Sequence, residues 1–469
     1  MDEKINDRIA DALNEVSDDK IAEAARAKRK RKRRYFLGAV AAVLAIVLIS
    51  NIGFIPGIVS AKAVSTASDS RAPERDDYEN FSEYWALLEQ READVNAALD
   101  ASASFFRDSA ALYMTDSGSE NRVWSPINAY IALAALAEIT DGNSRQQILD
   151  ALGVSDLDTL RTQAGAFWEE VYKDDGNEIC VLANSLWLNE GLKYNQQAMD
   201  DLAYYYYASV YQTDLGSSSA GKALRTWLNN NTGGLLKKNT GSAGFPENAV
   251  LTLASTVYLQ SKWVDEFNSS KNTDGVFHAP TGDITVTYMN KKEYHADYYW
   301  GDSYGAVALG LKNGCRMWFF LPDEDKTVDD VLAQGQYMDT ILGGTSYEDS
   351  DNQRYMKVNL SVPKFDVSSS ANLTETFREL GITDIFDSLV SDFTAITSDT
   401  PVAITAVNQA ARVIIDEKGV KAASYIEFPG AGAAAPPEEV IDFILDRPFL
   451  FVIADYSGIP LFTGVVNEP

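Results

Sequence analysis

The sequence has little of the chemistry on which most enzymes depend. Its 469 residues include two histidines, His278 and His295, and two cysteines, Cys180 and Cys315. This inventory excludes most zinc sites and leaves little for histidine acid–base catalysis. We expect each histidine to be structural or exposed, and the cysteines to be buried thiols because both lie in apolar runs. We therefore predict no enzymatic activity, no metal site and no cofactor.

Positive charge is also scarce. The chain has 40 Lys and Arg residues against 68 Asp and Glu residues, which gives a net charge of -28. A nucleic-acid-binding protein needs a basic face to displace counterions from phosphate, so we predict no nucleic-acid partner. At 46% hydrophobic and 23% charged residues, most of the chain can nevertheless bury a core. The phosphate-binding loop, the G-x-S-x-G elbow, H-E-x-x-H and C-x-x-C are all missing.

The N-terminal residues differ from the rest of the chain. Residues 1–34 carry 11 Lys and Arg against 8 Asp and Glu and end in a basic run, and residues 35–60 have no charge. An uncharged segment of this length can span ~30 Å of hydrocarbon as a helix. Basic residues on its N-terminal side predict a cytoplasmic N-terminus and an extracellular C-terminal bulk. The alternative to this single-pass anchor is a signal that is cleaved near Ala63, after which the protein is secreted.

The remaining residues divide into a polar linker at 61–92, which we expect to become helical near its end, and a large domain at 93–469. Apolar spacing predicts helices over residues 93–114, 129–139 and 144–152, with Ser144 as the N-cap of the third. Strand-like runs follow at 180–188, 250–259, 285–289, 306–311, 316–321, 356–362, 402–415 and 449–453. Many strands with few crossover helices predict an α+β fold with large antiparallel or mixed sheets.

The segment between residues 413 and 451 is the most informative part of the sequence. It begins as a β-branched strand, becomes rich in Ala, Gly and Pro, and returns to a strand. A loop of about 20 residues between two strands is uncommon in a compact domain and is usually functional or disordered. Alternate positions in its first half are apolar or small: Val420, Ala422, Ser424, Ile426 and Phe428. That alternation is typical of a strand with one buried face, so we predict that the loop can enter a sheet.

These residues carry a resemblance to a known family. The stretch from Asp416 to Ser424, the Ala/Gly-rich loop after it and the strand from Pro448 to Phe451 resemble the reactive-centre loop of serpins. Further motifs of that family occur in its order over residues 95–469: Ser125-Pro126, Asp141-Gly142-Asn143-Ser144, Trp227 with Thr232 and Gly234, Trp263 with Phe267, Pro363-Lys364-Phe365, and Phe462 with Gly464 and Asn467. The resemblance implies three β-sheets, about eight or nine helices and an exposed loop, in a serpin of the bacterial, membrane-anchored or secreted kind.

The resemblance also implies a function. Serpins of the inhibitory class act as suicide substrates: a serine protease cleaves the loop, stays bound as a covalent complex, and is distorted when the loop inserts into the central sheet. The implied hinge comprises Glu417, Gly419, Val420, Ala422, Ala423 and Ser424. Counting from the hinge glutamate as the family does places the reactive bond at Ala433-Ala434. Small residues there suit elastase-like or subtilisin-like proteases. We expect a monomer; the alternative function is that of a non-inhibitory surface binding module.

Three features depart from the family pattern. The family usually has Ser, Asn and His in a hydrogen-bonded shutter beneath the sheet opening. The resemblance places Asn128, Ser255 and Gln409 there in this chain, next to Ser125, and we hypothesise that these polar groups form one network because buried polar atoms need partners. Pro429 removes a backbone donor, which weakens a central strand at that point. The return from Pro437 to Pro448 is long, which alters the path by which the loop leaves the sheet.

Overall fold

The structure is a computed structural model that describes residues 61–65, 80–174, 178–236, 243–245, 249–343, 352–398, 400–404, 407–420 and 439–469. The predicted cytoplasmic tail at 1–34 and the predicted anchor or signal at 35–60 lie outside these ranges. Within them, no helix is both long and apolar enough to cross a membrane. Residues 61–469 form one compact unit.

Nine α-helices lie within the described ranges. They are α1 (Phe81–Met114), α2 (Pro126–Ile139), α3 (Gly142–Leu152), α4 (Leu157–Val171), α5 (Gln196–Tyr205), α6 (Ser218–Asn230), α7 (Val328–Gln334), α8 (Gln336–Leu342) and α9 (Thr374–Glu379). The first helix begins well before the predicted residue 93, because the Asn80 side chain caps it by accepting a hydrogen bond from Ser82 N. The predicted linker therefore contains the start of α1.

The prediction that Ser144 caps the third helix is wrong. Asp141 is the N-cap, and its side chain accepts a hydrogen bond from Gly142 N at 2.9 Å. Ser144 is buried within α3, and its hydroxyl instead accepts from Asp392 N at 2.9 Å. Both residue types are favoured at this position, and the local pattern does not show which one faces a neighbouring loop.

Seventeen strands account for most of the remaining described residues. They are β1 (Lys62–Ser65), β2 (Arg122–Trp124), β3 (Lys173–Asp174), β4 (Ile179–Asn189), β5 (Ala208–Thr213), β6 (Leu251–Lys262), β7 (Thr273–Ala279), β8 (Gly282–Trp300), β9 (Tyr304–Gly310), β10 (Arg316–Pro322), β11 (Gln353–Pro363), β12 (Phe365–Asn372), β13 (Asn408–Ile415), β14 (Gly419–Val420), β15 (Val440–Ile444), β16 (Phe449–Ala454) and β17 (Pro460–Val466). The predicted strand at 402–415 starts only at Asn408, although Val402 and Ile404 are buried.

The strands form three sheets in the part of the chain that the structure describes. One sheet has six strands in the order β1-β5-β4-β6-β14, with β3 beside β4. A nine-stranded sheet runs β15-β11-β8-β9-β10-β16-β17-β2, with β7 beside β8, and β12 pairs with β13. Most neighbours are antiparallel, and β4–β5 and β11–β15 are parallel. The α+β prediction with large mixed sheets is confirmed.

Helix α2 supports the region where the sheets meet. Its residues are apolar on every side, which is the pattern of a helix enclosed by the core, and nearly all of them are buried. It packs against β6 and β17. This packing places the first turn of α2, with Ser125 and Asn128, next to the six-stranded sheet.

Candidate functional site at the start of the loop

The chain reverses direction directly after β13. Asp416 N donates to Gly419 O at 3.2 Å, and Gly419 N donates to Asp416 O at 3.3 Å. Gly419 has a φ of +147°, and a Cβ at this position would lie 2.4 Å from the carbonyl oxygen of Ser261. Only glycine fits so close to another backbone in this conformation. The turn sends the chain back along β6.

The carboxylate of Glu417, the predicted hinge glutamate, is held on two sides. Lys364 Nζ lies 2.6 Å from Glu417 Oε1, and Asn272 Nδ2 donates to the same oxygen at 2.6 Å. The bond from Lys364 is the main cause, with that from Asn272 a smaller one, of a pKa for Glu417 below its ordinary value of 4.5. The backbone is held as well, because Phe267 N donates to Glu417 O at 2.8 Å.

Trp263 holds the other residues of this turn. Its indole Nε1 donates to Asp416 O at 2.8 Å, and its backbone N donates to Lys418 O at 3.0 Å. The ring is fully buried, so its single donor needs a fixed partner, and the turn supplies one. Trp263 follows the last residue of β6, so the turn after β13 is bound to the end of β6.

The chain after the turn forms a short strand between β6 and β13. Gly419 and Val420 pair antiparallel with Lys262 and Ser261 of β6. Since the turn also makes this strand antiparallel to β13, β6 and β13 run in the same direction. Over their described lengths β6 and β13 do not pair with each other. The only described strand between them is therefore β14, which is two residues long.

Val420 is buried between the two long strands. Its side chain is 4% exposed, and it lines a small cavity with Val257 and Leu259 of β6 and Val413 of β13. A second cavity, of about 70 Å³, lies among residues of α2, β6 and β13 that include Gln409. The apolar side chains of Val257, Leu259 and Val413 suit the alternate side chains of a strand that continues from Val420.

The four shutter residues form two hydrogen-bonded groups rather than the single network that we hypothesised. In the first, Ser125 N donates to Gln409 Oε1 at 2.9 Å, and Gln409 Nε2 donates to Ser125 O at 3.2 Å. The Ser125 hydroxyl donates to Leu461 O at 2.6 Å. Gln409 therefore connects β13 to the start of α2.

The second group connects β6 to the same helix. The Ser255 hydroxyl lies within hydrogen-bond distance of Asn128 Oδ1 and is 2.6 Å from Asn184 Oδ1. Asn184 Nδ2 in turn donates to Tyr206 O at 3.0 Å. Each group binds a different strand to α2, which leaves β6 and β13 without a direct side-chain bond between shutter residues.

Several predicted site residues fall outside the described ranges. These are Ala422, Ala423 and Ser424 of the hinge, Pro429, and the reactive bond Ala433-Ala434. Their roles stay predictions. The chain is described again from residue 439, where β15 pairs in parallel with β11.

The histidines and cysteines lie apart from the turn in sequence, and each has a structural environment. His278 is exposed, with Nδ1 2.7 Å from Asp283 Oδ1, and His295 is exposed beside the ring of Tyr355. Both cysteines are buried free thiols, as predicted. Burial raises the pKa of the Cys180 thiol well above its ordinary value. The described part of the chain contains no cluster of three or more His, Cys, Asp or Glu side chains suited to a metal.

Sequence reasoning missed four partners of the site. Lys364 and Trp263 stood in the motifs that carried the resemblance, but no role was assigned to them, and nothing in the sequence marked Asn272 or Asn184. A long-range polar contact leaves no periodic signal, so only the pairing of distant strands reveals it.

Comparison with known proteins agrees with this geometry. The family model described as serpin (serine protease inhibitor) matches residues 101–469. A wheat (Triticum aestivum) protein, Serpin-Z1C, is 26% identical over 375 residues, which cover 75% of this chain and 91% of the wheat protein. Alpha-1-antiproteinase of the squirrel Callosciurus caniceps is 25% identical over 78% of this chain and 88% of its own length.

A solved structure has the same fold. The native state of the thermophilic serpin tengpin matches with a TM-score of 0.69 at 22% identity, over 87% of this chain and all of tengpin. At that identity the likeness shows the fold. Because the family model covers well over half of the sequence, the chain belongs to the serpin family of serine protease inhibitors.

Proposed function

We propose that this serpin inhibits its target protease as a suicide substrate, by insertion of the cleaved loop between β6 and β13. One observation carries the proposal: the first two residues after the turn, Gly419 and Val420, pair with β6 at the point where β6 and β13 are not paired with each other. A strand that continues from Val420 would be antiparallel to both neighbours.

The energetics favour such an insertion. Each backbone hydrogen bond that an inserted strand forms with a neighbour contributes about 0.5–1.5 kcal/mol net. The apolar side chains of Val257, Leu259 and Val413 line the path next to Val420 and would cover alternate side chains of the strand. Insertion of a loop into a sheet is an established kind of switching transition.

The target follows from the residues at the proposed reactive bond. Ala433 on the acyl side of the bond suits a protease with a narrow apolar primary pocket, so we propose elastase-like or subtilisin-like serine proteases. A neighbouring register would place Gly432 or Ala434 there, which are also small. Trypsin-like proteases need Lys or Arg at this position and are poor candidates.

The location is part of the proposal. Residues 35–60 are proposed to cross the membrane once, with residues 1–34 in the cytoplasm and a monomeric serpin domain outside the cell. Cleavage near Ala63 would instead release the domain. The uncharged length of the segment and the basic run before it support the membrane assignment.

Incubation of residues 61–469 with pancreatic elastase tests the mechanism. We expect a covalent complex on a denaturing gel and an increase in thermal stability once the loop is cut. Cleavage with no complex and no stabilisation would contradict the proposal and favour the non-inhibitory binding module. The matched variant Ala433→Arg should lose the elastase complex and gain one with trypsin; an unchanged elastase complex would contradict the assigned bond.

A further inference from the structure

A pocket lies against the nine-stranded sheet, and one residue of its lining, Asn272, contacts the turn after β13. Its volume is about 530 Å³, and its walls come from β7, β8, β11 and the residues before β7. Three lysines line it, Lys271, Lys291 and Lys292, in a chain whose net charge is -28. The remaining polar lining consists of Asn, Ser and Thr side chains, which carry no charge.

Lys291 has an unusual environment for a lysine. Its Nζ lies 4.7 Å from the ring centre of Phe267 and 4.5 Å from that of Tyr294, and it donates to the backbone oxygen of Asp265. Among the described residues, no carboxylate forms an ion pair with it. By contrast, Lys364 pairs with Glu417 at 2.6 Å.

This environment changes the ionisation of the Lys291 amine. Burial lowers its pKa to about 8, and the carboxylate of Asp265 opposes the shift only in part. The two rings also favour the charged form, but burial outweighs them. At neutral pH roughly a tenth of such an amine is unprotonated, against less than a thousandth for an ordinary lysine. An unprotonated amine attacks carbonyl carbon.

We propose that Lys291 is a covalent modification site for small anionic aldehydes, which enter this pocket and condense with the amine. The lone pair of the neutral Nζ forms a bond to the aldehyde carbon, the two protons of the amine pass to the former carbonyl oxygen, and this oxygen leaves as water, so that an imine results. Lys271 and Lys292 supply the positive charge that would attract the anionic group of the aldehyde.

The pocket also borders both ends of the reactive-centre loop. Asn272 in its wall donates to Glu417 at the start of the loop. Asn359 donates to Asp442 of β15 at 2.7 Å, and Ser361 O accepts from Leu445 N at 3.0 Å. A bulky adduct on Lys291 would therefore lie close to the start of the loop, the segment that is proposed to insert during inhibition, and this coupling rests on the proposed function.

The test treats the full chain with pyridoxal 5′-phosphate, reduces the imine with borohydride and maps the labelled peptides. We expect Lys291 to be labelled at least ten times faster than Lys292, with a rate that rises with pH to a midpoint near 8. The charged or titratable neighbours to consider are Asp265, Tyr294, Lys271 and Lys292. Uniform labelling of the lysines, or a midpoint near 10, would overturn the proposal.

Three matched comparisons test the parts of this proposal separately. Lys291→Arg should abolish the fast label while the thermal unfolding midpoint is unchanged, and Lys292→Arg should retain it; fast labelling in the first variant would assign the reaction elsewhere. Pyridoxal without the phosphate should react several-fold more slowly, and an equal rate would refute the anion preference. Labelled protein should give a ratio of covalent complex to cleaved loop that differs at least threefold from that of unlabelled protein. An unchanged ratio would refute the coupling to the loop but not the labelling of Lys291. Fast labelling of a protein that forms no complex would refute inhibition but not the modification site.

Discussion

The two ends of the reactive-centre loop are held in opposite ways. At the start, Val420 is 4% exposed between two strands, and the Glu417 carboxylate is 18% exposed with two partners. At the end, Val440 is 52% exposed on β15, and the Glu439 carboxylate is 61% exposed in its ion pair with Arg354. Each end thus has one valine and one ion-paired glutamate in contrasting environments.

The difference indicates which end of the loop fits the proposed insertion. The start is already a strand, turned by Gly419 into the position between β6 and β13. The end is a strand paired with β11 on one side, in the position of an edge. Substitutions at the start should therefore change insertion, whereas matched substitutions at the end should act as surface changes.

Substitution of the two valines, Val420 and Val440, should give the largest difference between the two ends. Val420→Asp places a carboxylate among apolar side chains, where an unpaired charge costs several kcal/mol. We expect it to convert the protein from an inhibitor into a substrate, with at least a tenfold higher stoichiometry of inhibition of elastase on a denaturing gel. Val440→Asp should change that stoichiometry less than twofold. Equal effects of the two variants would contradict the claim that only the start of the loop takes part in insertion.

The shutter provides a smaller test, because Gln409 lies on the strand that leads to the turn. Gln409→Ala removes two buried hydrogen bonds to the backbone of Ser125, at a cost of about 1–3 kcal/mol. We expect a lower urea midpoint or faster loop insertion, and an unchanged value of both would refute the role. Ser255→Ala is the matched variant on β6.

The double variant decides between one network and two. If the two groups are independent, the effects of Gln409→Ala and Ser255→Ala on the free energy of unfolding should add to within about 0.5 kcal/mol. A coupling of 1 kcal/mol or more would restore the single network that the sequence suggested.

The sequence predicted the α+β fold, and the family resemblance predicted its three sheets, but neither predicted how the turn after β13 is held. The alternation of apolar residues predicted strand character from Val420 onward, and of those residues the structure describes Val420 alone, in β14. Neither could show that Lys364 and Asn272 meet at Glu417, because those contacts join strands that are far apart in sequence. The N-cap of α3 shows why local sequence was not enough. Asp141 and Ser144 are both residue types favoured at an N-cap, and only the contact of Ser144 with Asp392 shows that Ser144 is not the cap.

Substitution of the two glutamates, Glu417 and Glu439, should give the smallest effect on the free energy of unfolding, and at Glu417 that effect should depend on pH. Because bonding from Lys364 and Asn272 lowers the folded pKa of Glu417, its carboxylate stabilises the protein above the unfolded value, near 4.5, and this stability is lost as pH falls through the lower folded value. Glu417→Gln should therefore lower the free energy of unfolding by about 1 kcal/mol or less between pH 6 and 8. As pH falls through that lower folded value the variant and the parent should converge, because the Glu417 carboxylate becomes neutral like the Gln side chain. Glu439→Gln, at the exposed end, should leave urea unfolding within error at every pH. A pH-independent loss in Glu417→Gln would mean that the side chain acts through packing rather than charge.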